Sequence, residues 1–295
     1  REGPAGVGAA PGVGCLPRQG GKGRRRGRPL GVHDGAAPAA DRRVGLAGGA
    51  AGLVLFSQHA LGLPIRGAPV ALVAASTLLI YRFDGWVDAD RPSRGVVPVV
   101  MALAVLTWSW GQAPQAVRWL VGLGAIPCVL YGSRWGGGDI CLRQVPGVKP
   151  FFVTGALTVA TIGVTVLWSS GEVTLSQLCR LSLLLGILLL SNVTLFDLRD
   201  ERADRARQIV TLPVLFGPTL TRWGVAGLCL ASCVGLALAG DVFIGTHAET
   251  AIVIALSSTA FCVGHLNPNG PRFRYAICVD GIPLLLGISA WMLPA

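Results

Sequence analysis

Long apolar segments separated by short polar ones follow one another along the chain from Val44 onward. Each segment is close to the ~20 residues that an α-helix needs to cross the hydrocarbon core of a bilayer. They are too long and too continuous to be strands of a β-barrel, which are ~10 residues of alternating pattern. The pattern predicts about nine membrane-spanning helices, at residues 44–63, 67–83, 96–111, 114–132, 150–169, 176–196, 221–240, 248–266 and 275–293.

The composition leads to the same fold class. The chain has 295 residues, of which 52% are hydrophobic and only 14% are charged, whereas soluble domains carry about 25% charged residues. This excludes a soluble enzyme and a disordered protein and predicts an all-α, polytopic membrane protein. The third and fourth spans have the weakest pattern, because Pro98 and Pro114 are expected to interrupt them.

Residues 1–43 differ from the rest of the chain. They are rich in Gly, Pro and Arg, show no hydrophobic periodicity, and carry much of the net charge of +10. Such a composition cannot form a packed core, so residues 1–43 are predicted to be a disordered basic tail and residues 44–295 the membrane domain. Because the excess charge lies largely in the tail, we expect no nucleic acid partner.

Basic residues alternate between the loops. With nine spans, the amino terminus shares one side with the loops between spans 2–3, 4–5, 6–7 and 8–9, and these loops hold most of the remaining Arg and Lys. By the positive-inside rule that side is cytoplasmic. We therefore expect a multi-pass protein of the cytoplasmic membrane. The basic residues are Arg82, Arg91, Arg94, Arg134, Arg143, Lys149, Arg199, Arg202, Arg205, Arg207, Arg272 and Arg274.

Acidic residues cluster on the same predicted side, although acids contribute little to topology. A first acidic group, Asp84 and Asp88, follows the second span, with Asp90 nearby. A second acidic group follows the sixth span and consists of Asp197, Asp200 and Asp204. The spacings i, i+4 and i, i+3, i+7 place the members of each group on one helix face, where like charges repel.

Repulsion at the ends of two helices suggests that cations bind there. Mg²⁺ usually binds through one or two carboxylates plus substrate phosphates. Two such faces across a cavity would hold two Mg²⁺ ions around a diphosphate, and nearby Arg and Lys would donate charge-assisted hydrogen bonds to its oxygens. Two alternatives stay open: solvated helix ends whose acids form surface pairs with Arg, and the cation path of a transporter. Transporters place coupling carboxylates near the membrane midplane, which disfavours the second.

At these residues the chain resembles the UbiA superfamily of intramembrane prenyltransferases. Its members have nine transmembrane helices and two Asp-rich motifs, one after helix 2 and one after helix 6. The second acidic group, followed by Thr211-Leu-Pro-Val-Leu-Phe-Gly217, is similar to the family's aspartates and its Thr-Leu-Pro-Val-x-x-Gly helix start. Asp84 and Asp88 are similar to the last two Asp of the first motif, whose Asn-Asp pair falls on Ile80 and Tyr81 here.

The resemblance implies a reaction. Mg²⁺ and basic residues would bind the diphosphate of an allylic prenyl donor, and the carbocation left by ionisation would alkylate an acceptor, often an aromatic ring. The five Asp of the two groups would be catalytic metal ligands. Lys149, in the loop before the fifth span, would contact the diphosphate, with Arg134, Tyr81 and Arg199 as further substrate-binding candidates. Because the family's first motif is incomplete here, the alternative is a non-catalytic membrane protein of this fold that binds isoprenoid lipid.

Asp280 is the one acid deep within an apolar segment, in Ala276-Ile-Cys-Val-Asp280-Gly-Ile-Pro. Ionisable residues within membrane spans are functional candidates by default. Asp280 is expected either to face the cavity or to pair with a residue of a neighbouring helix.

Overall fold

In the computed structural model, the described residues are 40–88, 96–132, 142, 145–169, 171–206, 208–239, 246–266, 275 and 279–292, without the side chains of 40–43, 84–88, 132, 239 and 246. The chain divides into two units, Arg1–Ala37 and Pro38–Ala295, and all described residues lie in the second. The predicted tail therefore lies outside the described residues, except for 40–43, where the first helix begins.

The described residues form helices and no strands. The elements are α1 (Ala40–Ala60), α2 (Gly67–Asp88), α3 (Val96–Gln112), α4 (Gln115–Gly132), α5 (Val148–Trp168), α6 (Leu175–Ala206), the short α7 (Leu212–Phe216), α8 (Pro218–Ala239), α9 (Thr246–His265) and α10 (Gly281–Met292). Within α5, Val159–Gly163 form a π-helical turn.

Among the described residues, the nine longer helices coincide with the nine predicted spans, which confirms an all-α membrane fold. Four of them, α5, α6, α8 and α9, are long and apolar enough to cross a membrane by themselves. The apolar parts of the other five are shorter, between 10 and 17 residues. The chain is therefore an integral membrane protein built as a helical bundle.

The two prolines do not interrupt their spans as expected. Pro98 is the third residue of α3, and Pro114 directly precedes α4. Proline is tolerated in the first turn of a helix, because the N–H groups there have no intrahelical partner. Both prolines therefore mark helix starts, whereas Pro127 lies well inside α4.

The sixth helix is longer than the hydropathy pattern predicts. The predicted span ends at residue 196, whereas α6 has 32 residues and continues to Ala206. No Gly or Pro lies between Asp197 and Ala206, and most residues there are good helix formers. The second acidic group is therefore held on a continuous helix rather than on a loop.

Helix α6 lies at the centre of the larger hydrophobic core, which contains Leu181, Leu185 and Leu188 of α6 together with residues of α1, α8, α9 and α10. Helices α1 and α10 approach each other closely at Gly52 and Gly287. A Cβ atom at Gly287 would overlap the backbone of Gly52, so this contact requires glycine.

Large apolar side chains cover the outside of the bundle. Leu238 is 80% exposed, and Val96, Leu175, Trp291 and Met292 are exposed to a similar degree. Soluble monomers rarely expose contiguous apolar patches of this kind. A bilayer surrounds them with lipid tails, so the outer surface agrees with the membrane assignment.

Candidate functional site

Two acids of the second acidic group are buried at the end of α6. Asp197 is 1% exposed and Asp204 is 5% exposed. Burying a carboxylate is costly unless it is paired and hydrogen-bonded. Solvated helix ends would leave these carboxylates in water, so that alternative does not hold for Asp197 and Asp204.

The partner of both carboxylates is Lys149. Its Nζ lies 2.6 Å from Oδ1 of Asp197 and 3.2 Å from Oδ2 of Asp204. One ammonium thus lies between two carboxylates, and the other oxygen of Asp197, Oδ2, is buried without a hydrogen-bond partner among the described residues. We call these three residues the lysine cluster. It carries one positive and two negative charges.

The start of α5 brings Lys149 to the end of α6. Gly147 precedes α5 with a φ of 73°, a left-handed conformation that favours glycine. Its N–H donates a 2.8 Å hydrogen bond to the carbonyl oxygen of Val210, just beyond α6. This contact ties the chain before α5 to the chain after α6, which places the first turn of α5 beside the acids.

Asp200, the third acid of the group, has a different partner. Arg199 donates from Nε and Nη2 to the two carboxylate oxygens of Asp200, at 2.8 and 2.6 Å. The guanidinium of Arg199 also lies over the rings of Phe196 and Tyr275, at 5.3 and 5.9 Å from the centroids. Aromatic faces attract cations. The carboxylate of Asp200 and the two rings therefore both hold the guanidinium of Arg199 in place.

The described residues cover only part of the predicted site. Asp84 and Asp88 lie in the last turns of α2, but their side chains are outside the described residues, and Arg134 is outside them entirely. Tyr81 is described and is half-buried in α2. The convergence of the two acidic groups on one cavity therefore stays a prediction.

Within the described part of the chain, no three His, Cys, Asp or Glu side chains come together as a metal site. The donor chemistry of the lysine cluster nevertheless suits a hard cation. Mg²⁺ takes oxygen ligands and commonly uses one or two carboxylates, completing its shell with phosphate and water. Asp197 and Asp204 supply two carboxylates, and the unpaired Oδ2 of Asp197 is an oxygen that could bind such an ion.

A cavity of about 60 Å³ lies inside the bundle next to this region. Its lining is mostly apolar and comes from α1, α2, α5, α6 and the start of α10. The polar side chains on its wall are Thr77, Tyr81, Asn192 and Asp280, and Phe196 forms part of the wall one residue before Asp197. Asp280 is thus among the residues that line this cavity.

Sequence reasoning missed two residues of this region. Asn192 is 5% exposed and Tyr275 is 1% exposed. A buried Asn within the apolar sequence Leu188-Leu-Leu-Ser-Asn192 is a signal of the same kind as Asp280, because polar groups are costly in a membrane. No comparable signal marks Tyr275, whose role depends on its contact with Arg199.

Searches against protein-family models and against curated proteins give no match. Solved structures that match the fold include two UbiA homologs. One is the apo structure of a UbiA homolog from Aeropyrum pernix K1, with a TM-score of 0.58, 14% identity, and coverage of 86% of this chain and 98% of that one. The other is a UbiA homolog from Archaeoglobus fulgidus bound to Cd²⁺, with a TM-score of 0.57, 12% identity, and coverage of 85% and 100%.

These matches confirm the predicted resemblance at the level of the fold. Both UbiA homologs are covered over nearly their whole length, so the similarity of fold extends across each of them. At this level of identity the similarity defines the architecture and leaves the chemistry to be argued from the residues.

Proposed function

We propose that this protein is an intramembrane prenyltransferase that moves a prenyl group from an allylic prenyl diphosphate to a small aromatic acceptor, with Mg²⁺ as cofactor. The observation that carries the proposal is the lysine cluster. In this UbiA-like fold a half-buried Lys lies between two buried Asp at the end of α6, where the family motif is expected.

The charge of the lysine cluster supports binding of a cation. Lys149 neutralises one of the two carboxylates, so the cluster retains one negative charge in a buried setting. Electrostatic interactions are stronger in such a setting than in water. A divalent cation would balance the remaining charge, and Asp197 and Asp204 would hold it. When bound, Mg²⁺ neutralises the diphosphate and stabilises the departing pyrophosphate.

The hydrogen-bonding capacity of Lys149 supports binding of a phosphate. An ammonium has three N–H donors, and Asp197 and Asp204 accept two of them. The third remains for a phosphate oxygen. Since the Lys149 side chain is 23% exposed, a ligand can reach it from outside the bundle. Lys149 would orient the diphosphate and hold it against the acids.

Arg199 would act at the other side of the diphosphate. It is fixed by Asp200, Phe196 and Tyr275, so its fork of N–H donors is pre-positioned. An arginine held this way suits phosphate recognition. The first acidic group, Asp84 and Asp88 at the end of α2, would complete the site together with Arg134, which follows α4 in the sequence. Because that group lacks two polar positions of the family motif, it would depend more on phosphate to complete its metal shell.

The proposed localisation follows from the same chemistry. A prenyl donor is itself a lipid, so its apolar chain would lie in a groove open to the bilayer while its diphosphate reaches the acids. Positive loops predict that this end faces the cytoplasm, at the cytoplasmic membrane. The partners are then the lipid bilayer, the prenyl diphosphate and the acceptor.

The test is prenyl transfer by membranes that contain the full chain. They are incubated with radiolabelled prenyl diphosphates of several lengths, a panel of aromatic acceptors, and Mg²⁺ or EDTA. Labelled product is expected with Mg²⁺ only, and Asp200→Ala is expected to abolish it, because it removes a central acid and releases Arg199. Glu201→Ala is the matched control, since Glu201 pairs with Arg205 outside the cluster. Absence of transfer with every donor would favour the non-catalytic lipid-binding alternative, and full transfer by Asp200→Ala would refute the proposed role of the acids.

A further inference from the structure

The turn that ends α6 contains a residue in an unfavourable backbone conformation. Gln208 has a φ of 59°, and it is the one non-glycine residue with a positive φ in the part of the chain that the structure describes. Glycine favours this left-handed region, because in other residues the Cβ atom comes too close to the following carbonyl oxygen. Strained residues of this kind cluster at ligand sites, so the strain at Gln208 calls for a functional explanation.

The strain belongs to a Schellman motif, in which a left-handed residue closes a helix. The N–H of Gln208 donates to the carbonyl oxygen of Arg205 at 3.2 Å, and the N–H of Ile209 donates to the carbonyl oxygen of Asp204 at 2.9 Å. Ile209 is buried, whereas Gln208 is exposed. A glycine would form the same two hydrogen bonds without the strain, so the fold of this turn does not account for a glutamine.

The turn adjoins the lysine cluster. Asp204 supplies both the carbonyl oxygen that closes the Schellman motif and a carboxylate oxygen 3.2 Å from Lys149 Nζ. Two residues after Gln208, the carbonyl oxygen of Val210 accepts the 2.8 Å hydrogen bond from Gly147, which lies two residues before Lys149. Gln208 therefore lies between two contacts that tie its turn to the proposed diphosphate site.

A second polar side chain of this turn is not used by the helix that it precedes. Thr211 is the N-cap residue of α7, where a threonine hydroxyl usually accepts a hydrogen bond from the first turn. The Thr211 hydroxyl makes no such bond, and its Oγ1 is buried without a partner among the described residues. A buried hydroxyl without a partner is unfavourable. Both polar side chains thus favour a turn that contacts a polar ligand.

The chemistry of Gln208 assigns it to the diphosphate. A carboxamide has two N–H donors, and hydrogen bonds to the charged oxygens of a phosphate are stronger than those between neutral groups. An apolar prenyl chain would leave the amide without a partner. We propose that Gln208 is a further diphosphate-binding residue, whose Nε2 donates to one phosphate oxygen while Lys149 donates to another. This inference rests on the proposed function and adds a contact from outside the two acidic groups.

The experiment measures ligand affinity and thermal stability on the same samples. The full chain in nanodiscs of neutral phosphatidylcholine is titrated with a prenyl thiodiphosphate and, separately, with inorganic pyrophosphate, in both cases with Mg²⁺, and calorimetry gives the two Kd values. Gln208→Gly removes the amide and relieves the strain. We expect its Kd for both ligands to rise about tenfold and its Tm without ligand to rise by about 1–3 °C. A purely structural role would not lower affinity while raising stability.

Gln208→Ala is the matched variant. It also lacks the amide, but it keeps a Cβ atom and therefore the strain. Its Kd values should rise as much as those of Gln208→Gly, while its Tm should not rise. A rise in Kd for Gln208→Gly alone would assign the effect to a more flexible turn and overturn the proposed contact. Glu201→Gln serves as the control on α6, because Glu201 pairs with Arg205; it should bind both ligands as the unmodified protein does.

Unchanged Kd values in Gln208→Gly and Gln208→Ala would overturn the inference. So would a loss confined to the prenyl thiodiphosphate, because the contact would then be to the prenyl chain. Failure of the proposed function looks different: the unmodified protein would bind neither ligand, and both the function and this inference would be wrong. If the unmodified protein binds both ligands and the two Gln208 variants bind them equally well, the diphosphate site is retained and Gln208 is not part of it.

Discussion

The second acidic group has two parts that differ in burial and in partner. Asp197 and Asp204 are buried and share Lys149, which comes from another helix and lies 48 residues before Asp197 and 55 residues before Asp204. The side chain of Asp200 is 38% exposed and is paired with its neighbour in sequence, Arg199. Within one motif, Asp197 and Asp204 are thus held by a contact that is distant in sequence, whereas Asp200 is held by its neighbour.

The difference in burial predicts that the ion pairs contribute differently to the free energy of unfolding. A buried ion pair is strongly coupled to its partner, and removing one member leaves an uncompensated charge. An exposed pair is screened by water and salt and contributes little. We therefore expect the lysine cluster to be sensitive to substitution, the Arg199 pair to be intermediate, and the exposed pair further along α6 to be nearly neutral.

The largest effect is expected for Lys149→Met. It leaves two buried carboxylates side by side, so the free energy of unfolding in mixed micelles should fall by about 3–5 kcal/mol. Adding Asp197→Asn and Asp204→Asn to this variant should recover most of the loss, because the unpaired charges are removed. If Lys149→Met lowers the free energy of unfolding by no more than the loss of an exposed ion pair does, the lysine cluster is not strongly coupled.

An intermediate effect is expected for Arg199→Lys. The substitution keeps the charge but loses the two-pronged contact with Asp200 and most of the stacking on Phe196 and Tyr275. We expect a loss of about 1–2 kcal/mol in the same unfolding experiment. If Arg199→Lys and the unmodified protein have the same free energy of unfolding, the geometry of the guanidinium does not contribute to stability.

The smallest effect is expected for Arg205→Ala. Arg205 is exposed and pairs with Glu201 at i, i+4, with Nη2 and Oε1 2.7 Å apart. Such helix pairs contribute about 0.3–0.5 kcal/mol. The loss should decrease further at high salt, and a loss above that of Arg199→Lys would invert the order that burial predicts.

Hydropathy was sufficient to predict the helices, because every span must satisfy its backbone hydrogen bonds internally and present an apolar surface to lipid. Helix ends were less predictable. Pro98 and Pro114 start helices because their positions in the first turn tolerate proline, and α6 continues past residue 196 because nothing in Asp197–Ala206 breaks a helix. Hydropathy reports where the membrane ends and not where the helix ends.

The acids could be predicted from their spacing, but their partners could not. The spacing of Asp197, Asp200 and Asp204 suggested one shared face, whereas Lys149 approaches only the first and the last. Which acid it meets depends on how α5 lies against α6, and a contact across 55 residues leaves no pattern in the local sequence. Asn192 carried a signal, a polar residue in an apolar segment, that differs from Asp280 only in lacking charge.

The most direct test of the proposed chemistry is divalent cation binding at the lysine cluster. Mn²⁺ replaces Mg²⁺ in equilibrium dialysis of the full chain in nanodiscs, with and without a non-ionising prenyl thiodiphosphate. We predict that the thiodiphosphate increases Mn²⁺ retention by the unmodified protein and by Glu201→Gln, and that Asp197→Asn with Asp204→Asn lowers the affinity by about tenfold or more. Equal Mn²⁺ binding by that double variant and by the unmodified protein would contradict the assignment of α6 as the site of the diphosphate and its metal.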